Sequence, residues 1–273
     1  MSRPFPVDTE DFRVDLFDDG VAEVVLGPAG GMPAADARGH AALASLWPRL
    51  AVAPGVRAIL VRSEGKGFSA GGTLGLVEEL LASEAARARV QREARELVQG
   101  MIDCDRPIVS AINGAAVGAG AALALLADVS VAGQRAKIID GHTRIGVAAG
   151  DHAAVIWPLL CGMAKAKYHL LTCEPLSGSE AERLGLVSLC VADDALLDTA
   201  RGIARHLAAG PAAALAATKR SLNHWLRAAW PAFEHSLAAE FAGFAGAEAR
   251  EGLAALREKR APAFRGIEVY SAS

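Results

Sequence analysis

The stretch from Ser110 to Asp128, SAINGAAVGAGAALALLAD, constrains the fold more than any other part of the chain. Ile108, Val109, Ala111 and Ile112 suit a buried strand, Asn113-Gly114 is a turn dipeptide, and Ala121 to Ala127 is an apolar run of strong helix formers. A strand must therefore run through a glycine turn into a helix. Gly118, Ala119 and Gly120 carry almost no side chain, so a ligand can lie against the backbone N–H groups that open this helix and have no partner within it. Such a helix start suits a developing negative charge.

The stretch Gly65 to Leu74, GKGFSAGGTL, repeats the device. It follows a predicted strand over Val56 to Arg62, and bare backbone again precedes a helix, from Leu76 onward. Two such loops can form one pocket. With these two stretches the chain resembles the enoyl-CoA hydratase/isomerase family, or crotonase superfamily. Its signatures are a G-x-x-F-S/C-A-G-x-D-like loop and an A-x-N-G-x-x-x-G-x-G helix start. Asp128 to Ala132, Glu182 to Val187 and Glu251 to Leu253 continue the resemblance, which spans roughly residues 10 to 265.

Size and composition agree with one large enzyme domain. A chain of 273 residues, 52% hydrophobic and with a formal net charge of -3, is neither disordered nor suited to polyanions, so nucleic acid is excluded as a partner. Cys104, Cys161, Cys173 and Cys190 form no C-x-x-C pair, and the histidines are dispersed, so reduced thiols and no metal site are expected. The amino terminus has no apolar core of a leader, and no apolar run reaches the roughly 18 residues of a membrane span. A soluble, cytoplasmic protein is expected.

Along the chain, Phe12 to Phe17 and Val21 to Leu26 read as a β-hairpin about Asp19-Gly20. Helices are expected over Ala35 to Ala53 and Leu76 to Met101, the second with a solvated face that includes Glu93 and Arg89. From Asp193 onward the pattern is almost entirely helical. The resemblance implies an α/β (α+β) fold, a crotonase-like spiral of repeated ββα units over residues 1–195. Residues 196–273 form a helical extension that closes the acyl pocket and builds a homotrimer or a dimer of trimers. Trp225, Trp230, Phe233, Leu237, Phe241 and Phe244 exceed what a small appendage needs, so they are expected to meet another subunit.

The resemblance also assigns chemistry. The substrate is an acyl-CoA thioester, coenzyme A arriving as part of it with no separate cofactor. The enolate oxygen is received by an oxyanion hole made from the N–H groups of Gly72 and Ala119. CoA contacts fall on Phe68, Ser69 and Ala70, with Lys259 and Phe264 near the terminus. The two hydratase glutamate positions are occupied here by Ala122 and His142, and Gly27 to Gly31 replaces the usual Asn-rich loop that carries a basic residue. Two-glutamate hydration is therefore unsupported, and isomerisation or a related enolate reaction is favoured.

His142 and Asp151 are the candidate acid/base pair. An imidazole titrates near pH 6.5, which suits proton transfer. Asp151 reads either as an N-cap or as an acid/base group whose pKa burial among Val147, Ala148, Ala149 and Trp157 would raise. Asp140 and Arg144 are spaced to orient His142, and His152, if helical, points away from Asp151.

Other readings remain open. The same fold without the glutamates can be an acyl-CoA-binding or assembly protein that does not turn over. Gly67 to Gly71 also satisfies G-x-S-x-G, and with Asp151 and His206 it has the order of a serine hydrolase built on Ser69, though the serine stands too far from the preceding strand for a nucleophile elbow. Gly118-x-Gly120 lacks the third glycine of a dinucleotide fold.

Overall fold

The computed structural model describes residues 2–265. Three strands open the chain, β1 (Ser2–Phe5), β2 (Phe12–Phe17) and β3 (Val21–Leu26), and pair antiparallel. The β2–β3 hairpin matches the alternation in the sequence. β1 has no such pattern, being exposed on almost every residue, and was not expected.

The helix α1 (Ala37–Ala51) then returns the chain to β4 (Ala58–Ser63), which lies parallel to β3. All six residues of β3 are buried, because helices cover both faces of the sheet there. One of them is Glu23. Its carboxylate is met by Arg62 at 2.6 Å and Arg201 at 2.6 Å, which is how a charge survives in a central strand.

The expected long helix is two, α2 (Leu74–Ala82) and α3 (Glu84–Asp103). Ser83 breaks it and caps α3 by accepting from the Ala86 amide. The solvated-face expectation also fails at Glu93. This residue falls on the inward stripe with Val90, Ala94, Leu97 and Met101, and pairs with buried His40 at 2.7 Å.

From here each pass lays one strand in a large sheet and one in a small sheet. β5 (Ile108–Ile112) and β6 (Ala115–Val117) lead into α4 (Ala119–Leu125), then β7 (Val129–Gly133) and β8 (Lys137–Ile139) follow. A 3-10 turn (Thr143–Ile145), α5 (Ala153–Cys161) and α6 (Met163–Thr172) come next, then β9 (Leu176–Ser177), α7 (Gly178–Arg183) and β10 (Leu189–Val191). The large sheet has the order β1-β2-β3-β4-β5-β7-β10 and the small sheet β6-β8-β9. This alternation is the expected spiral, with short second-sheet strands that the sequence pattern did not resolve.

The remaining chain is helical: α8 (Leu196–Ala209), α9 (Ala212–Leu222), α10 (His224–Ala228), α11 (Trp230–Gly243) and α12 (Ala247–Glu258). Residues 266–273 of the expected extension lie outside the described residues. Leu196, Ala200, Ala204 and Ala208 recur at helical spacing and pack on Leu60, Val109 and Val131 of the sheet.

α11 instead crosses the other side, against α5 and α3. Phe233, Leu237, Phe241 and Phe244 are buried within this one chain, correcting the expectation that they face another subunit. Trp225 remains exposed and Trp230 half-buried.

Candidate active site

The two glycine loops are stitched together by backbone hydrogen bonds. Phe68 and Ser69 donate to Ala115 O at 2.9 and 3.0 Å, and Val117 donates to Ser69 O at 2.9 Å. On the other side Ala70 donates to Pro33 O at 2.7 Å and Thr73 to Ala35 O at 2.9 Å, while Gly71 donates to the Ser69 hydroxyl at 3.1 Å. Among the amides from Phe68 to Thr73, only that of Gly72 has no acceptor among the described residues. The Ala119 amide, at the first residue of α4, likewise has none. Gly120 allows this approach, since a Cβ there would stand 2.4 Å from Ser69 O.

Gly72 and Ala119 line the same cavity, of about 320 Å3, whose wall is otherwise mostly apolar, with Leu76, Val90, Ile139 and Phe241 among its residues. That volume and character suit a small organic group. Ala122 also lines it and is buried, so no proton carrier enters from this part of α4.

The polar part of the wall comes from three segments. His142 sits just after β8 and directs Nδ1 to both oxygens of Asp140, each at 3.1 Å. Nε2 is left facing Glu240 Oε1 at 3.5 Å and Asp151 Oδ2 at 3.9 Å. The ring lies beside the start of α4, with Cε1 3.7 Å from where a Cβ of Gly118 would be.

Asp151 does not cap α5. The N-cap is His152, without a side-chain cap bond, and Asp151 Oδ1 instead lies 2.5 Å from His152 Nδ1. Trp157 Nε1 donates to His152 Nε2 at 3.3 Å, so it is Nδ1 that donates to Asp151. His152 is fully buried and, as an N-cap outside helical geometry, faces Asp151.

Glu240 was missed by the sequence reading. It stands on α11 between Leu237 and Phe241, and an acid at helical spacing within the stripe Phe233, Leu237, Phe241 and Phe244 is the signal that was available. Two contacts fix α11 here: Ser236 Oγ donates to Gly150 O at 3.0 Å, and a Cβ on Gly150 would come within 2.5 Å of Glu240 Cβ. The loop can approach the helix only because it has glycine there.

These groups set one another's protonation. Burial disfavours the His142 cation, but Asp140, Asp151 and Glu240 together raise its pKa well above the ordinary value. Burial also opposes ionisation of Asp151, yet the adjoining His152 and His142 hold its carboxyl at about 2, the reverse of the expected upward shift. Glu240 goes the other way. Burial lifts it to about 8, against the pull of His142 and helped by the charges of Asp151 and Asp140, and its Oε2 has no hydrogen-bond partner among the described residues. His142, Asp151 and Glu240 each offer a donor atom within 4.8 Å of the others, a grouping able to take a cation that their dispersal along the chain concealed.

The other expected site residues are placed less centrally. Arg144 is exposed and donates to Cys173 O at 3.1 Å rather than orienting His142. Ala70 lines the cavity, but the Phe68 side chain is fully buried in the core, and the buried Ser69 hydroxyl accepts from Gly71. His206 is exposed on α8, and Ser69 has no histidine partner among the described residues. Lys259 adopts a left-handed conformation at the end of α12, and Phe264 lies beyond it, half-buried; neither lines the cavity, whereas Leu256 of α12 does.

The sequence model for enoyl-CoA hydratase/isomerase matches residues 40–267. The chain belongs to the enoyl-CoA hydratase/isomerase family. It is 40% identical to a probable enoyl-CoA hydratase of Rhodobacter capsulatus, over 77% of this chain and 81% of that protein. It is 31% identical to the 1,2-epoxyphenylacetyl-CoA isomerase of Escherichia coli, over 83% of this chain and 88% of that one. The crystal structure of an enoyl-CoA hydratase/isomerase from Mycobacterium paratuberculosis superposes with a TM-score of 0.85 at 32% identity, covering 90% of this chain and 98% of the other. The family therefore covers both the spiral and the terminal helices. Its members include hydratases and isomerases, so family membership alone leaves the reaction to the residues of the cavity.

Proposed function

We propose that this chain moves a proton at the α or γ carbon of an acyl-CoA thioester through an enolate held by the Gly72 and Ala119 amides. The observation that carries this reading is that the two unpaired amides and the His142–Asp151–Glu240 cluster open onto one apolar cavity. Thioester chemistry needs such a hole because the carbonyl oxygen gains charge as the α C–H bond breaks, and each donor is worth on the order of 3 kcal/mol.

Glu240, in its carboxylate form, takes the α proton; the C–H electron pair becomes the enolate, and the proton returns at the γ carbon with a shift of the double bond. A pKa of about 8 matches this carrier to neutral conditions. The His142 cation favours the Glu240 carboxylate, and Asp140 and Asp151 keep His142 charged. Asp151, at about 2, is a weak base, so its part is to position and charge His142.

The likeness to both a hydratase and an isomerase is consistent with either outcome of the enolate. Isomerisation is favoured because Ala122 stands where the resemblance places the first hydratase glutamate, and an alanine cannot activate water. Coenzyme A enters with the substrate, and no other cofactor is required.

The test is exchange of α protons into deuterated water with but-3-enoyl-CoA and crotonyl-CoA. Loss of exchange in His142→Ala and Glu240→Gln is expected. Wild-type rates in both variants would make the mechanism wrong, and binding without exchange in the parent chain would favour the acyl-CoA-binding reading.

For assembly, the apolar surface left uncovered includes Met163, Tyr168 and Leu171 on α6 and Leu222 and Trp225 on α9 and α10. A homotrimer or dimer of trimers covering part of it is our reading, and sedimentation showing only monomer at micromolar concentration would refute it. No helix among the described residues is long and apolar enough to cross a membrane, and all four cysteines are free, which together support the proposed cytoplasmic location.

A further inference from the structure

The same cavity carries a second histidine–carboxylate pair that the proposed proton transfer leaves unused. His40 lies in the first turn of α1, at a place fixed by Asp36, whose side chain accepts from the Arg38 and Gly39 amides at 2.8 and 2.9 Å. Its ring is buried, with Nδ1 2.7 Å from Glu93 Oε2. Glu93 in turn receives Arg89 at 3.1 Å. Burial would raise the Glu93 carboxyl, but His40 and Arg89 together hold it below its ordinary value, so it stays an acceptor and His40 Nδ1–H donates to it.

The other ring nitrogen, Nε2, has no partner among the described residues. His40 lines the cavity together with Gly71 and Ala119, beside apolar Leu97, so this nitrogen belongs to the space the acyl group would fill. A buried histidine–glutamate pair adds no stability that well-packed apolar side chains would not give, and a ring nitrogen open to the cavity loses its water when an acyl chain fills that space. A plain alkyl chain would leave it unpaired. An oxygen would not.

We infer that His40 Nε2 hydrogen-bonds an oxygen on the acyl chain, so that the substrates are CoA thioesters bearing a carbonyl or hydroxyl beyond the thioester carbonyl, and that His40 is the residue selecting for it. The inference rests on the acyl-CoA reading above. The imidazole donates to a carbonyl when cationic and accepts from a hydroxyl when neutral, whereas a methylene can do neither. Glu93 and Arg89 are positioning residues that hold the ring with Nε2 away from the protein's own acceptors.

The test is calorimetry on the full chain with two matched pairs, 3-hydroxybutyryl-CoA against butyryl-CoA and 4-oxopentanoyl-CoA against pentanoyl-CoA. The oxygenated member of at least one pair should bind about tenfold more tightly or better. His40→Leu should bring that ratio to within about twofold of one, His40→Gln should retain part of it through the amide, and Glu93→Gln should reduce it. If His40→Leu fails to fold, the Gln variants at positions 40 and 93 give the same comparison. Equal affinities in the parent chain, or a preference left undiminished by these substitutions, overturns the inference and leaves the acyl-CoA reading standing.

If none of the four thioesters binds, it is the acyl-CoA reading that fails. His40 is then followed by its imidazole proton resonances, assigned by their loss in the His40 variants, during titration with 2-pentanone. A saturable shift supports oxygen recognition by His40, and no shift overturns it.

Discussion

The cavity has two walls built on different principles. The amide wall is main chain, Gly72 and Ala119, held by loops that hydrogen-bond to each other within a short span of sheet. The proton wall is side chain, with His142, Asp151 and Glu240 brought from β8, the start of α5 and α11. The first wall needs only absent side chains and a helix start, so any small residue at these positions can supply its N–H groups. The second depends on which ionisable groups meet in a dry site, so a single residue changes the reaction. Under the proposed mechanism, one amide wall can serve different reactions according to the side chains set opposite it.

The comparison is broken most directly at the proton wall. Glu240→Gln and His142→Ala should each lower α-proton exchange by about 10^2- to 10^4-fold, with thioester affinity far less affected, as measured by exchange rates beside calorimetry. At the amide wall, Gly72→Pro deletes the donor and should lower the rate about 10^2- to 10^3-fold. Gly72→Ala keeps the amide, and its Cβ would meet only the flexible end of Leu76 at 3.2 Å, so it serves as the folding control and should retain most activity. Equal losses in both Gly72 variants would show that space, not the donor, matters there.

Packing separates the walls more gently. Gly120→Ala drives a Cβ against Ser69 O at 2.4 Å, and Gly150→Ala drives one against Glu240 Cβ at 2.5 Å. Each should destabilise the fold by about 1–3 kcal/mol in denaturant unfolding. Only the Gly150 variant should also move the pH dependence of exchange, because only it displaces an ionisable group.

The smallest expected effect is on stability against pH. Glu240 keeps its proton up to about 8 when folded but loses it near 4.5 when unfolded, so its contribution is present below pH 4.5 and is lost as pH rises toward 8. His142, raised above 6.5, has the same sign: its contribution is complete below pH 6.5 and disappears as pH rises through the folded value. Asp151 opposes them only at acid pH, where its contribution is lost between 3.8 and about 2. Stability should therefore fall from pH 5 to pH 8 in thermal melts, and the fall should flatten in Glu240→Gln. A flat profile in the parent chain would mean that Glu240 is solvated.

The sequence by itself determined the amide wall, and the reason is locality. A loop of bare backbone before a helix leaves N–H groups without partners whatever packs around it, so Gly65 to Leu74 and Gly118 to Gly120 could be read directly, as could the β2–β3 hairpin and the stripe of α8. His142 was legible as a titratable residue in a glycine-rich segment. Only the tertiary structure decided what surrounds it. Glu93 looked like a helix-surface acid because the pattern of one helix does not say how completely its neighbours cover it, and Glu240 was not singled out because α11 reaches the cavity through contacts far apart in sequence. The direction of the Asp151 shift was decided in the same way: the sequence showed the apolar neighbours that would raise it, while the fold supplied the His152 and His142 rings that hold it down. Local hydrogen-bond accounting is written in the chain, but the pKa of a buried group depends on charges that only folding brings within reach.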